Sequence, residues 1–184
     1  LHKSGAGTLT LSGTSTNATG THISAGTLIV NGTHSGQIGI GLGGTLGGSG
    51  TVGDILTSVG TVAPGGVAPG VTTGILRATN MTLWPLAHVN IELKGGVAGT
   101  DYDQIDVSGT ANLDSAYLTL DVSGFSPAPG QQFTIVKNVT GVFKLAPEGW
   151  PIPGPDGTRF RITYMGGDGN DAVLTADVES PQML

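Results

Sequence analysis

The residues with the clearest potential for metal chemistry lie near the C-terminal end of the chain, in the segment 166–173. Its sequence, GGDGNDAV, fits the calcium β-roll pattern G-G-x-G-x-D-x-U. In a β-roll, calcium lies between turns of successive copies, and this chain carries one copy. We therefore predict an ordinary turn, in which Asp and Asn tolerate left-handed backbone. Calcium binding by Asp168 and Asp171 is the alternative, and no other cofactor is predicted.

A second acidic group, formed by Asp101, Asp103 and Asp106, surrounds Tyr102. Asp103 and the adjacent Gln104 could bind a cation or a sugar hydroxyl. Asp residues just ahead of a strand more often shape the preceding turn. We therefore expect Asp101 and Asp103 to form a turn, and Asp106 to lie on the solvated face of the strand that follows.

Large aromatic side chains provide flat surfaces on which sugar rings stack, and the candidate ligand-binding residues are Trp150, Trp84 and Tyr102. Trp150 lies in the segment PEGWPIP, whose prolines predict a surface loop. An exposed indole there would indicate a contact with a glycan or a protein. The interpretation that we favour is a loop anchored to the core by its indole.

The distribution of charge argues against an enzyme. A glycosidase needs two carboxylates about 5 to 9.5 Å apart, and a polysaccharide lyase also needs cations to stabilise its anionic intermediate. Residues 1–74 contain one acid, Asp54, and one strong base, Lys3. The acids of the second half are scattered across separate turns. We predict no catalytic residues.

The overall composition indicates many short strands joined by tight turns. Charged residues make up 11% of the 184 residues, and there are 33 glycines and 10 prolines, while Thr, Val and Ile favour strands. The net charge of −6 and the lack of a basic patch argue against nucleic-acid binding. No apolar run approaches the ~18 residues of a membrane-spanning helix, so we expect no membrane insertion by this segment. The chain has no cysteine, which excludes disulfides and thiolate metal sites.

A repeat organises the first part of the chain. The tripeptide Gly-Thr-Leu begins at positions 7, 26 and 44, and its variant Gly-Thr-Val begins at position 60. A spacing of roughly 16 to 19 residues suits one coil of a parallel β-helix, in which coils stack about 4.8 Å apart. The apolar residue after each threonine is expected to point inward. Glycines, including those of the segment 45–53, are expected to occupy the corners between strands.

From about residue 75 the pattern changes to alternating strands with longer turns, after an expected irregular loop over 62–70. The strands predicted in this part are Ile75–Ala78, Met81–Trp84, His88–Leu93, Gln104–Val107, Ala116–Val122, Gln132–Lys137, Arg159–Tyr164 and Asp171–Thr175. We divide the chain into repeat coils (1–74), a continuing β-solenoid or β-rich C-terminal cap (75–176) and a tail (177–184).

Several stretches together resemble the passenger-associated repeats of bacterial autotransporter and autotransporter-like surface proteins. They are Ser4–Gly13, Thr21–Asn31, Gly44–Gly53, Val62–Gly70, Asp101–Gly109 and Tyr164–Leu174. The resemblance implies an all-β fold, a right-handed parallel β-helix (β-solenoid) with an irregular β-rich C-terminal cap. It also implies a secreted or outer-membrane-associated location and carries no catalytic residues.

These observations predict a structural or adhesive passenger segment, the stalk of an adhesin on the bacterial surface, cut from a longer precursor. The alternatives are a glycan-binding module and a fragment of a polysaccharide-active β-helix enzyme. The expected partners are host or matrix glycans or proteins, and self-association through the ends of the β-helix is possible because open sheet edges pair readily.

Overall fold

A computed structural model describes residues 1–16, 19–66, 73–114, 116–154 and 158–177, and every helix or strand assigned within these ranges is a β-strand. Across the same ranges, no helix has the length and apolar character that crossing a membrane requires. In chain order the strands are β1 (His2–Lys3), β2 (Thr8–Leu11), β3 (Thr14–Ser15), β4 (Thr21–Ile23), β5 (Gly26–Val30), β6 (Thr33–His34), β7 (Ile38–Ile40), β8 (Gly44–Gly48), β9 (Thr51–Val52), β10 (Ile55–Thr57), β11 (Thr61–Pro64), β12 (Ile75–Ala78), β13 (Met81–Leu83), β14 (His88–Glu92), β15 (Gln104–Val107), β16 (Ala111–Asn112), β17 (Tyr117–Asp121), β18 (Gln132–Val136), β19 (Val139–Thr140), β20 (Pro151–Pro153), β21 (Arg159–Gly166) and β22 (Asp171–Asp177).

The chain winds through three sheets in turn, so that each coil contributes one strand to each sheet. The first sheet has the order β1-β4-β7-β10-β13-β16-β19, and the second has β2-β5-β8-β11-β14-β17. The third sheet begins β3-β6-β9-β12-β15-β18, and neighbouring coils pair in parallel in all three sheets. This architecture is the predicted parallel β-helix.

The Gly-Thr-Leu repeat stacks in strict register within the second sheet. The apolar residue of each copy pairs with that of the next, in the order Leu9, Leu28, Leu46 and Val62. Leu28 and Leu46 are fully buried, and full burial of a leucine side chain stabilises a fold by about 1.5–3 kcal/mol. The threonines that precede them form a parallel row on the outer surface. The prediction that the repeat builds an inward apolar column is confirmed.

The glycine-rich segment 45–53 differs from the expectation that its glycines occupy corners. Gly47 and Gly48 lie inside β8. A Cβ atom on Gly48 would lie 2.1 Å from the carbonyl oxygen of Val30, and the φ angle of Gly48 is 108°. Glycine is needed here because the backbones of adjacent coils approach too closely for a side chain.

The solenoid continues beyond residue 75 with no change of architecture. Strands β12 to β18 complete two further coils beyond the repeat. The bounds of six of these strands agree with the predicted strands to within about two residues, whereas the two-residue strand β16 was not predicted. The irregular loop expected over 62–70 falls partly outside the described residues, although Thr61–Pro64 forms β11. The tail after Asp177 also lies outside them.

The C-terminal part closes the third sheet with antiparallel strands. Strand β22 pairs antiparallel with β18, and β21 and β20 follow in the same sense. Phe133, which is fully buried, contacts the rings of Tyr102, Phe125 and Phe160 in edge-to-face geometry. The predicted irregular β-rich cap is therefore present: both long antiparallel pairings contain a shift of register, and an aromatic cluster packs between the strands.

The first coil carries a charged residue, Lys3, at an inward position. Lys3 pairs with Ile23 at an inward position and is only 7% exposed. Its ammonium group donates hydrogen bonds to the carbonyl oxygens of Ser4, Gly5 and Ala25. Main-chain oxygens therefore satisfy all three donors of a buried cation.

Candidate functional site

The calcium-like segment 166–173 contains the turn between β21 and β22, which is formed by residues 167–170. Gly167 and Gly169 have positive φ angles of 59° and 112°, as a tight turn requires. Asp171 is 7% exposed, and its Oδ1 atom accepts a hydrogen bond of 3.1 Å from the backbone N–H of Asn138. Asp168 is exposed on the turn. Asp171 thus fastens the cap to Asn138, the residue that precedes β19. Calcium binding by Asp168 and Asp171 stays the untested alternative.

The three residues of the second acidic group have different contacts, and those of Asp101 and Asp106 are simple. Asp101 accepts a hydrogen bond from the backbone N–H of Val97, as expected for a turn residue. Asp106 lies 3.4 Å from the ammonium group of Lys137 on the partly solvated face of β15. Within the described ranges, no three His, Asp or Glu residues are grouped so that they could hold a metal ion.

Asp103 has an environment that the sequence did not predict. It is 1% exposed, and its two carboxyl oxygens accept hydrogen bonds of 2.9 Å from the backbone N–H groups of Gly74 and Glu92. Burial raises the pKa of Asp103 to about 7. Asp103 therefore joins β14 to the segment that leads into β12.

The structure also corrects the expectation that the acids of the second half are scattered. Glu92, Asp103 and Asp121 line one open pocket of about 260 Å³ beside β14 and β17. Hydrogen bonds from Ser123, together with Lys94, lower the pKa of Asp121 to about 2. Burial raises the pKa of Glu92. Strand register is the signal that could have revealed this acidic group in the sequence. Glu92 of β14 and Asp121 of β17 occupy equivalent positions on adjacent coils and pair with each other.

A pair of carboxyl groups with well-separated pKa values is the arrangement that acid–base catalysis on sugars uses. Here both oxygens of Asp103 are engaged by backbone N–H groups. Asp121 is held by Lys94 at 2.9 Å and by the backbone N–H of Ser123. The contacts of these carboxylates are those of residues that fasten loops to the column.

The three candidate ligand-binding aromatics do not come together. Tyr102 is 7% exposed and its ring meets the ring of Phe133 edge to face, so its ring packs inside the protein. Trp84 follows β13 and is 41% exposed. It lines an apolar groove of about 660 Å³ with His22 and Leu86, above Gly39 and Gly41.

Trp150 lies in a different cleft, beside β17 and β20. Its side chain is 54% exposed, so the loop is not anchored by a buried indole, in contrast to the interpretation that we favoured. The cleft, of about 180 Å³, is also lined by Tyr117, Lys144 and Leu145. The sequence did not single out Lys144, because nothing in its spacing links it to Trp150.

Comparison with known proteins bears on the first two coils. Residues 1–30 match the passenger-associated-transport-repeat. The matched residues run from β1 to the end of β5 and contain two copies of the Gly-Thr-Leu tripeptide. No curated protein matches the chain.

The match to the passenger-associated-transport-repeat and the stacked parallel strands favour the same interpretation, a passenger-like β-helix. Within the matched residues, β2 pairs with β5 residue for residue, so one copy of the tripeptide stacks directly on the next. The repeat is that of autotransporter passengers, which indicates a passenger-like segment of a secreted or surface-exposed bacterial protein.

Proposed function

We propose that this chain is a structural stalk segment of an outer-membrane-associated bacterial surface protein, that it supports adhesion, and that it is not an enzyme. The observation that supports the proposal best is the unbroken register of the second sheet, in which six strands succeed one another in parallel. Such a column is continuously hydrogen-bonded along its axis. It can therefore hold another part of the protein at a fixed distance.

The dimensions and surface of the column suit a spacer. Strands in one sheet lie about 4.8 Å apart, so the seven strands of the first sheet span roughly 30 Å. The first 74 residues have one acid and one strong base. A surface with so little charge depends weakly on salt for its conformation, as a mechanical element outside the cell requires.

A display experiment tests the spacer role. The chain is attached to beads through its C-terminal tail, with an epitope placed ahead of Leu1, and binding of a bulky antibody is measured. A folded stalk should keep the epitope accessible, whereas Leu28→Asp should reduce antibody binding by collapsing the column. Thr27→Asp, on the outer face of the same strand, is the matched control. Equal accessibility in all three proteins would contradict the proposal.

Adhesion would require partners such as host or matrix glycans or proteins. The exposed indole of Trp150, which lies in one cleft with Lys144, favours glycan binding as a second candidate function. Incubation with acidic polysaccharides tests the statement that the chain is not an enzyme, since turnover that is lost in Asp103→Asn would contradict it. Self-association through the N-terminal edge of β1, β2 and β3 stays a prediction, which sedimentation at increasing concentration would check.

A further inference from the structure

We propose that the cleft between Tyr117, Lys144 and Trp150 binds an acidic pyranose, that is, a sugar ring carrying a carboxylate. The cleft offers one cation, one exposed indole and an apolar floor within a single surface depression. This inference names the ligand class for the second candidate function, glycan binding, on which it rests, and it does not depend on the stalk function.

Lys144 supplies the charge that such a ligand needs. Its ammonium group donates a hydrogen bond of 2.7 Å to the Tyr117 hydroxyl and lies 4.6 Å from the centre of the Tyr117 ring. Among the described residues, no carboxylate forms an ion pair with Lys144, whereas Lys94, Lys137 and Arg161 each have one. In a chain of net charge −6, an exposed cation without a carboxylate partner is free to attract an anionic ligand.

The neighbours of Lys144 fix its position before any ligand arrives. The Tyr117 ring stacks on the ring of His88, with centroids 5.0 Å apart and planes 15° apart. The backbone N–H of Lys144 donates to the carbonyl oxygen of Ala116 at 2.8 Å. A site that is held in place by the column spends less free energy on ordering when it binds.

Trp150 supplies the surface on which a sugar ring stacks. It is 54% exposed, and within the described residues its indole N–H has no hydrogen-bond acceptor, so it can donate to a hydroxyl group. The loop is held by a hydrogen bond from Arg161 to the carbonyl oxygen of Gly149. Glu148, the acid of this loop, accepts a hydrogen bond from the backbone N–H of Tyr164.

Leu145 adds an apolar contact at an unusual backbone position. Its φ angle is 59°, and its side chain is 80% exposed. A left-handed conformation disfavours leucine by about 1–2 kcal/mol, and strained positions of this kind cluster at binding sites. The strain here holds an apolar side chain in solvent at the rim of the Trp150 cleft.

The groove beside Trp84 provides the internal comparison. It also has an exposed indole, but no lysine or arginine lines it. It can therefore stack a ring without attracting a carboxylate. Trp84→Ala is the matched control for Trp150→Ala, because both changes remove a partly exposed indole from the same protein.

The experiment uses the full chain and two acidic probes, trigalacturonate and 3′-sialyllactose, each with a neutral counterpart, the methyl ester of trigalacturonate and lactose. Binding is measured by calorimetry and by tryptophan fluorescence. We expect at least one acidic probe to bind with a dissociation constant near 1 mM, about −4 kcal/mol, and its neutral counterpart to bind at least tenfold more weakly. The probe that binds distinguishes a uronate from a sialate.

Variants then separate the roles within the cleft. Lys144→Met and Trp150→Ala should each weaken binding of the acidic probe about tenfold or more, while Lys144→Arg and Trp84→Ala should leave it nearly unchanged. Higher salt should weaken binding, because the cation is exposed. Thermal melts check that each variant is folded.

Three results would overturn the proposal. They are the absence of binding of both acidic probes at concentrations up to about 10 mM, equal binding of acidic and neutral probes, and equal losses in Trp84→Ala and Trp150→Ala. None of them bears on the stalk function, which the display experiment tests independently.

Discussion

The N-terminal coils and the C-terminal cap are built in contrasting ways. The coils repeat small aliphatic residues at equivalent positions, and residues 1–74 contain no Phe or Tyr. All four Phe and all three Tyr of the chain follow residue 100. The cap is accordingly held by individual contacts, such as the rings around Phe133. The contrast teaches that a repeated aliphatic pattern specifies the coils, whereas individual aromatic contacts specify the cap.

The largest effect is expected in the coils, from Leu28→Asp. The change removes a fully buried leucine and places a carboxylate between Leu9 and Leu46. The lost burial and the unpaired charge together should lower the free energy of unfolding by more than about 5 kcal/mol. Far-ultraviolet circular dichroism should show loss of strand signal.

The control for this variant is Thr27→Asp, which changes the neighbouring residue on the outer side of β5. Its carboxylate stays partly solvated, so its effect should be within about 1 kcal/mol. If both variants melt at the same temperature, the inward role of the leucine column is wrong.

The corresponding change in the cap is Phe133→Ala. It leaves a cavity among Tyr102, Phe125 and Phe160 and should destabilise the protein by about 3–5 kcal/mol. We expect near-ultraviolet circular dichroism, which reports on packed aromatics, to change more than the far-ultraviolet signal. Equal loss of both signals would mean that the cap and the coils unfold as one unit.

A smaller loss of stability is expected from glycine substitutions in the coils. It should differ between a glycine that contacts a neighbouring backbone and a glycine that only has a positive φ angle. Gly48→Ala would place a Cβ atom against the Val30 carbonyl and should cost about 3 kcal/mol through strain and overpacking. Gly43 has a φ angle of 79° with open space around it, so Gly43→Ala should cost only about 1 kcal/mol. Urea unfolding of both variants checks the difference, and equal costs would contradict the close approach of coils.

The last prediction concerns the pH dependence of stability, which Asp103 should influence. Its pKa is raised from 3.8 to about 7 by burial. Between these pH values the folded chain binds more protons than the unfolded chain, so the contribution of Asp103 to stability falls as the pH rises from about 4 to 7. Asp103→Asn should abolish this part of the slope.

Urea unfolding at several pH values between about 4 and 8 measures the effect, with Asp101→Asn as the control. The difference between wild type and variant is the relevant quantity. Burial lowers the pKa of His34, so its contribution to stability rises with pH in both proteins. Identical slopes for wild type and Asp103→Asn would show that Asp103 does not titrate with folding.

The sequence was sufficient to predict the column, because its register depends on a pattern that recurs. Leu28 and Leu46 follow glycine and threonine in the same order, and a coil that repeats can only stack in phase. The alternation in β14 and β21 likewise predicted their strands without any tertiary knowledge.

The cap and the candidate sites could not be predicted in the same way, because each depends on a single long-range contact. Nothing near β22 in the sequence indicates that it pairs antiparallel with β18. The burial of Asp103 depends on the Gly74 and Glu92 N–H groups. Lys144 and Trp150 come together because residues of β17 and β20 line the same cleft.

The division of the solenoid into three-strand coils has a consequence for how the length of such a molecule can change. Because each coil contacts mainly the preceding and the following coil, a whole coil can be duplicated or deleted while the sequences of the other coils stay the same. One duplication would add roughly 4.8 Å to the reach of the protein. Duplication of about eighteen codons at a time would therefore increase the length of the column in fixed increments.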